Sequence, residues 1–146
     1  MAFVLVNFKS TNIENINLIL YNNDYDEISK FPISKDSFFS IEFIHSVNKS
    51  PVIEYYKFDE AFNIYNDKTI YYNFGAGVST DIENNEKFTL RDDGSMLIEN
   101  INNKITDLSY YLSSIYDHIL KIDDGDPISL WEICGKNKII HIKIGV

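Results

Sequence analysis

The sequence predicts an all-β fold, either an antiparallel β-sandwich or a flattened β-barrel of about ten short strands. Short apolar runs alternate with polar turn clusters along most of the chain, and isoleucine, phenylalanine and tyrosine are frequent in these runs. Several runs also show the period of two that is typical of strands. Because no linker or internal repeat interrupts the pattern, residues 16–146 are expected to form a single β domain.

The first fifteen residues have two interpretations. The apolar run 2–6 could be a first strand of the domain. It could instead be the remnant of an N-terminal membrane anchor, in which case the polar residues 10–17 mark the exit from the bilayer. Both interpretations stay open at this point.

The first half of the chain contains strand signals at 16–21, 31–33, 38–47, 52–58, 61–65 and 69–74. In the segment 38–47, alternation places Phe39, Ile41, Phe43 and His45 on one face, which we expect to point inward. The polar residues 66–68 predict a tight turn between the last two strands.

The second half begins with a predicted hairpin, in which strands 88–91 and 96–99 flank the turn sequence Asp92-Asp93-Gly94-Ser95. Isoleucine-rich strands at 128–133 and 139–144 close the chain, and His141 in the last strand is expected to be exposed. Apolar residues spaced at four and three positions in 108–122 fit a helix. The same segment fits strands at 107–113 and 118–122 around a turn, and its tyrosine-rich, β-branched content favours two strands.

Composition excludes some classes of function. The net charge of −9 would repel phosphate backbones, so nucleic acid is not an expected partner. The single cysteine, Cys134, excludes an intrachain disulfide framework and a zinc site of the Cys-x-x-Cys type. Nothing in the sequence requires a cofactor.

The strongest candidate for a functional site is a His and a Glu on either side of one turn. His45 and Glu54 lie in mostly apolar strands, before and after the polar residues 46–51, and His118 could join them if its strand is a neighbour. Two imidazoles and a carboxylate suit a zinc-like divalent metal or a polar ligand. The structural alternative is a buried His45 that bonds to Glu54 and stabilises the hairpin.

Two further features accompany this site. Ser46 follows His45 and points to the opposite face of a strand, which is poor geometry for a Ser–His pair. The sequence Phe74-Gly75-Ala76-Gly77 could present backbone N–H groups to a ligand, although a bulge or turn is the simpler explanation for its glycines.

The residues His45-Ser46-Val47, Pro51-Val52 and Glu54, followed by Phe74-Gly75-Ala76-Gly77, resemble the bacterial family known as domain of unknown function 1850. Further matching features are Asp93-Gly94, His118-Ile119-Leu120 and the closing hairpin, so the resemblance covers about 16–144. The chain departs from the family pattern at Val78-Ser79, where leucine and proline often follow the glycines. Serine cannot restrict φ as proline would.

The resemblance implies a small exported or membrane-anchored bacterial protein that is associated with tripartite ATP-independent periplasmic (TRAP) transporters of the TAXI type. Its partner would be the permease or the solute-binding protein, and the membrane would be reached only through an N-terminal anchor. We therefore expect a non-enzymatic, extracytoplasmic accessory or binding domain with His45, Ser46, Glu54, Phe74, Gly75, Gly77 and His118 at its site. The alternatives are a metal-dependent or His–Glu enzyme, with His45, Glu54 and His118 as ligands of any metal, and a structural protein-interaction module.

Overall fold

Twelve strands and one short helix are present in the computed structural model, which describes residues 15–73 and 85–146. In chain order the elements are β1 (Asn17–Tyr21), β2 (Glu27–Pro32), β3 (Phe39–Ile44), β4 (Pro51–Phe58), β5 (Ile64–Tyr71), β6 (Lys87–Leu90), β7 (Met96–Glu99), β8 (Asn103–Ile105), β9 (Leu108–Leu112), β10 (Ile119–Ile122), β11 (Ile128–Ser129), α1 (Leu130–Cys134) and β12 (Lys138–Gly145).

The strands form two antiparallel sheets. The small sheet has the order β2-β1-β12-β9, and the large sheet has the order β11-β10-β3-β4-β5-β7-β6, with β8 also paired to β5. The two sheets pack as a sandwich and do not close into a barrel. The predicted all-β sandwich is therefore confirmed, and the barrel alternative is wrong.

The core lies between the two sheets and is mostly aliphatic. Its fully buried side chains come from both sheets and from α1, and include Leu18, Leu20, Phe39, Ile41, Leu112, Leu120, Leu130, Ile140 and Ile142. Burying a side chain of this size stabilises the fold by roughly 1.5–3 kcal/mol relative to leaving it exposed. The sandwich therefore depends on the inward face of each strand, as the period of two predicts.

Several predicted elements are confirmed. Phe39 and Ile41 are buried and Phe43 is half-buried, as expected for one inward face of β3. The hairpin β6–β7 closes with Arg91 N–H donating to the Ser95 carbonyl oxygen, at 2.8 Å. The segment 107–122 forms β9 and β10 rather than a helix, so the two-strand interpretation is correct.

The predicted turn at 66–68 is wrong, because β5 runs through these residues without interruption. Its pairing with β4 skips Asp67, so one extra residue bulges out between Asn66 and Lys68. Asp67 is held there by an ion pair with Lys57, at 3.0 Å. Polar residues that suit a tight turn also suit a bulge, and the sequence pattern does not distinguish the two.

The predicted strand at 128–133 is also wrong, because only Ile128–Ser129 is extended and α1 begins at Leu130. The Ser129 side chain accepts from the Glu132 backbone N–H at the start of the helix, and Gly135 follows its end at φ 89°. The Ser-x-x-Glu spacing of Ser129 and Glu132 is a signal for the start of a helix. The isoleucine content of the segment favoured a strand instead.

The described residues include no helix that is long and apolar enough to cross a membrane. The two interpretations of the N-terminal run concern residues 1–14, which lie outside the described part of the chain, and both stay predictions.

Asp123 joins two loops at one edge of the core. Its carboxylate accepts from the Phe38 backbone N–H and from the Ser37 hydroxyl, both at 3.0 Å, while its own N–H donates to the Phe38 carbonyl oxygen at 2.9 Å. Its φ of 51° lies in the left-handed region, which Asp and Asn tolerate better than most residues. Asp123 thereby connects the start of β3 to the end of β10.

We expect Asp123→Ala to lower the free energy of unfolding by about 1–3 kcal/mol, because the Ser37 hydroxyl and the Phe38 N–H lose their acceptor. Urea denaturation measures the change. The neighbouring exposed residue provides the control, since Asp124→Ala should change stability by less than about 0.5 kcal/mol. Equal effects of the two substitutions would contradict this role of Asp123.

Candidate functional site

A cleft of about 500 Å³ opens beside the turn that joins β3 to β4. Its polar lining comes from His45, Ser46, Glu54, Ser113 and His118. The rest of its wall is mainly apolar or aromatic and comes from Phe43, Ile44, Val52, Tyr71 and Tyr111. Four of the predicted site residues, those at 45, 46, 54 and 118, therefore line one cleft.

Glu54 lines the cleft and accepts hydrogen bonds from two tyrosines. The hydroxyl of Tyr56, from the same strand, donates to Glu54 Oε2 at 2.7 Å, and the Tyr110 hydroxyl donates to the same oxygen. The two hydroxyl oxygens also lie 2.6 Å apart. Because Tyr110 belongs to β9 of the small sheet, this cluster links the two sheets across the core.

The electrostatics of this cluster raise the pKa values of its tyrosines. Burial is the largest cause for both Tyr56 and Tyr110, and the negative charge of Glu54 adds to it. The pKa of Tyr71, which lines the cleft, is also raised by burial and by Glu54. All three hydroxyls therefore remain protonated at neutral pH, and those of Tyr56 and Tyr110 act as donors to the carboxylate.

His45 does not bond to Glu54, so the structural alternative in which this pair stabilises the hairpin is wrong. His45 follows the last residue of β3, and its Nδ1 accepts from the backbone N–H groups of Val47 and Asn48, at 3.2 and 3.4 Å. An accepting Nδ1 carries no proton, so the neutral ring has its proton on Nε2. The imidazole thus organises the turn on one side and lines the cleft on the other.

His118 immediately precedes β10, and its side chain lines the cleft. Its ring stacks on Phe43, with the ring centroids 5.6 Å apart and the planes at 15°, and it meets the edge of Tyr110 at 5.5 Å. Its Nδ1 is buried and has no hydrogen-bond partner among the described residues. Burial lowers the pKa of His118 and so favours a neutral ring, while the nearby Asp117 has the smaller, opposite effect.

Helix α1 braces the chain around His118. The Asp117 carboxylate accepts from the Ser129 hydroxyl and from the Trp131 backbone N–H, the latter at 3.0 Å. The Trp131 indole N–H donates to the Ser113 carbonyl oxygen at 2.8 Å, and the Leu130 N–H donates to the His118 carbonyl oxygen at 3.0 Å. The β9–β10 connection, which carries two of the cleft residues, is therefore anchored at both of its ends.

Within the part of the chain that the structure describes, no group of three or more His, Cys, Asp or Glu could hold a metal ion. His45, Glu54 and His118 line the same cleft without forming a coordination sphere. The donor geometry therefore does not fit the predicted metal set.

The remaining predicted site residues, Phe74, Gly75 and Gly77, lie outside the described residues. Sequence reasoning missed Tyr56 and Tyr110, which donate directly to the Glu54 carboxylate. Tyr56 could have been found, because it lies two residues beyond Glu54 on the same face of a strand. Tyr110 could not, because its contact depends on how the sheets pack.

A second polar cluster lies on the small sheet around His141. The prediction that His141 is exposed is wrong, because this side chain is buried. Its Nδ1 lies 3.0 Å from Asp107 Oδ1, and the Tyr25 ring stacks over it at a centroid distance of 4.3 Å. The Tyr25 hydroxyl donates to the other oxygen of Asp107 at 2.9 Å, which is the largest cause of the lowered pKa of that carboxyl group. Tyr25 thus covers the imidazole.

Tyr110→Phe should lower the free energy of unfolding at neutral pH by about 1–3 kcal/mol, because Glu54 loses one of its two hydroxyl donors.

The same substitution should also reduce the loss of stability above about pH 10. The unfolded chain releases tyrosine protons near that pH, whereas the folded chain retains the proton of Tyr110, whose pKa is raised. The unfolded state then binds fewer protons, so stability falls as pH rises, by up to about 1.4 kcal/mol per pH unit for each such group.

Urea denaturation of the wild type and of Tyr110→Phe at several pH values between about 8 and 11 measures both effects. The same slope of stability against pH in both proteins would show that Tyr110 is not protected from ionisation in the folded state.

Comparison with curated proteins and with solved structures finds no match for this chain. A family model does match, over residues 39–127, which run from β3 to beyond β10. The matched region is more than half of the chain and includes Phe43, His45, Glu54, Tyr110 and His118. The chain therefore belongs to the family described as Domain of unknown function (DUF1850).

Proposed function

We propose that this chain is a non-enzymatic binding domain whose cleft takes a small polar molecule. The observation that carries the proposal is the cleft itself, whose volume of about 500 Å³ lies within the range of roughly 300–1,000 Å³ that is typical of ligand sites. It combines aromatic walls with a few convergent polar groups, as ligand pockets generally do.

The polar groups of the cleft are held in place before any ligand arrives. Glu54 is fixed by two tyrosine hydroxyls, His45 by two backbone N–H groups, and His118 by its stack on Phe43. A site whose side chains are already ordered loses less conformational entropy on binding, so this rigidity favours ligand recognition.

The geometry gives less support to an enzyme. Acid–base or nucleophilic catalysis needs a base within hydrogen-bond reach of the group it activates. His45 and Glu54 make no hydrogen bond to each other, and their described side-chain bonds go to the backbone and to tyrosines. Neither histidine is oriented by a carboxylate in the way that a catalytic imidazole is.

The resemblance of this chain to its family supports a proposal on location and partners. We place the domain outside the cytoplasm, exported or membrane-anchored, where it would serve a TRAP-type transporter by contacting the permease or the solute-binding protein. A cleft that binds a small molecule fits an accessory role in solute transport. The competing proposal is a structural module that binds a protein partner and leaves the cleft empty.

Thermal denaturation in the presence of a panel of small polar metabolites tests the proposed function. A ligand at a hundred times its Kd stabilises the folded state by about 2.7 kcal/mol, which raises the Tm of a domain of this size by several degrees. Ser46→Trp should abolish the shift, because the large side chain fills the cleft from an exposed turn position and leaves the core untouched.

The matched control is Ala61→Trp, which adds the same side chain at an exposed position in the β4–β5 connection, at the opposite end of β4. This variant should respond to ligand as the wild type does. A panel without any stabilising compound, or a compound that stabilises Ser46→Trp equally, would favour the structural module.

A further inference from the structure

We propose that the ligand of the cleft is a small organic ammonium compound, with its positive charge at Glu54 and its carbon skeleton against the aromatic wall. This inference rests on the proposed function and specifies its ligand class. It is carried by the charge, the hydrogen bonding and the aromatic content of the cleft.

Ten of the described residues line the cleft, and among these ten Glu54 is the only acidic side chain and none is lysine or arginine. The ion pairs between Lys57 and Asp67 and between His141 and Asp107 do not involve Glu54. A half-buried carboxylate without a cationic partner is costly unless something compensates its charge. A ligand cation would supply that compensation.

The hydrogen bonds of Glu54 leave one oxygen for a ligand. Both tyrosine hydroxyls donate to Oε2, and no described group donates to Oε1. An ammonium group carries several N–H donors and no acceptor, so it complements an oxygen that can only accept. Hydrogen bonds between two charged groups are about twice as strong as those between neutral groups.

The two histidines do not offset the negative charge. The Nδ1 atom of His45 accepts from two backbone N–H groups of its own turn, so this nitrogen presents no N–H to the cleft. His118 is partly buried against Phe43 and Tyr110, and this burial lowers its pKa more than the nearby Asp117 raises it. The cleft therefore has a net negative charge, and a ligand anion would be repelled.

The aromatic lining favours a cation as well. Phe43, Tyr71 and Tyr111 line the same cleft as Glu54, and the faces of aromatic rings attract positive charge. Ser46 and Ser113 also line the cleft, and their hydroxyls can donate to a polar group elsewhere on the ligand, although Ser113 Oγ already accepts from the Ile115 N–H. Long-range steering acts in the same direction, because the net charge of −9 raises the local concentration of cations.

Three probes of similar size and different charge test the inference: benzylamine, benzyl alcohol and benzoate. The chain contains three histidines, so the ring signals in a ¹H–¹³C correlation spectrum report on few sites. His45 and His118 line the cleft, and His141 is an internal control on the small sheet. Benzylamine should shift the signals of His45 and His118 in a saturable manner, and the other two probes should bind at least about tenfold more weakly.

Glu54→Gln should weaken benzylamine binding about tenfold or more, because the ammonium group loses its negatively charged partner. The amide oxygen of glutamine can still accept from the two tyrosine hydroxyls. Glu42→Gln provides the control, since it changes the net charge equally and Glu42 does not line the cleft. Equal loss in both variants, or none in either, would overturn the inference.

Tighter binding of benzyl alcohol or benzoate at His45 and His118 would overturn the ligand class and leave the binding function standing. No response of these signals to any probe would also overturn the inference. The Tm shift with the metabolite panel and its loss in Ser46→Trp then decide separately whether the cleft binds ligands at all.

Discussion

Two tyrosine hydroxyls from opposite sheets converge on one carboxylate oxygen, and the rest of the site depends on this contact. Tyr56 and Tyr110 bring β4 and β9 together at Glu54, in a sandwich whose other contacts between sheets are largely apolar. A buried carboxylate would be costly without donors, so both sheets must lie in the correct register for the charge to be tolerated. The same contact occupies Oε2 and leaves the second carboxylate oxygen of Glu54 without a donor among the described residues.

The cleft is formed where the β3–β4 turn and the β9–β10 connection meet. The turn between β3 and β4 begins at His45, which bonds to its own loop instead of filling the core. On the other side, α1 and Asp117 hold the β9–β10 connection so that His118 stacks on Phe43. These braces come from separate parts of the sequence and act on different walls of the cleft. The proposed cation site rests on these braced walls and on the carboxylate of Glu54.

The sequence predicted features that depend on local alternation, and failed where distant parts of the chain decide. The inward face of Phe39, Ile41 and Phe43 follows from the period of two, and the hairpin at Asp92–Ser95 follows from its turn residues. The convergence of His45, Glu54 and His118 on one cleft was a hypothesis that required neighbouring strands, which the order β10-β3-β4 supplies. The bond between Glu54 and Tyr110 joins residues 56 positions apart, and no periodicity within a strand encodes it. At Asp67 and Leu130, local signals were ambiguous, and the pairing of neighbouring strands and the capping serine decided the outcome.

A high-resolution crystal structure of the protein as purified, without dialysis or chelator, tests the central claim most directly. We expect an ordered molecule or a well-defined water network that donates to Glu54 Oε1, with both tyrosines bound to Oε2. A dry, closed space in which Tyr71 or Tyr111 packs against Glu54, or a protein cation paired with the carboxylate, would contradict it. The polar link between the sheets would then be purely structural.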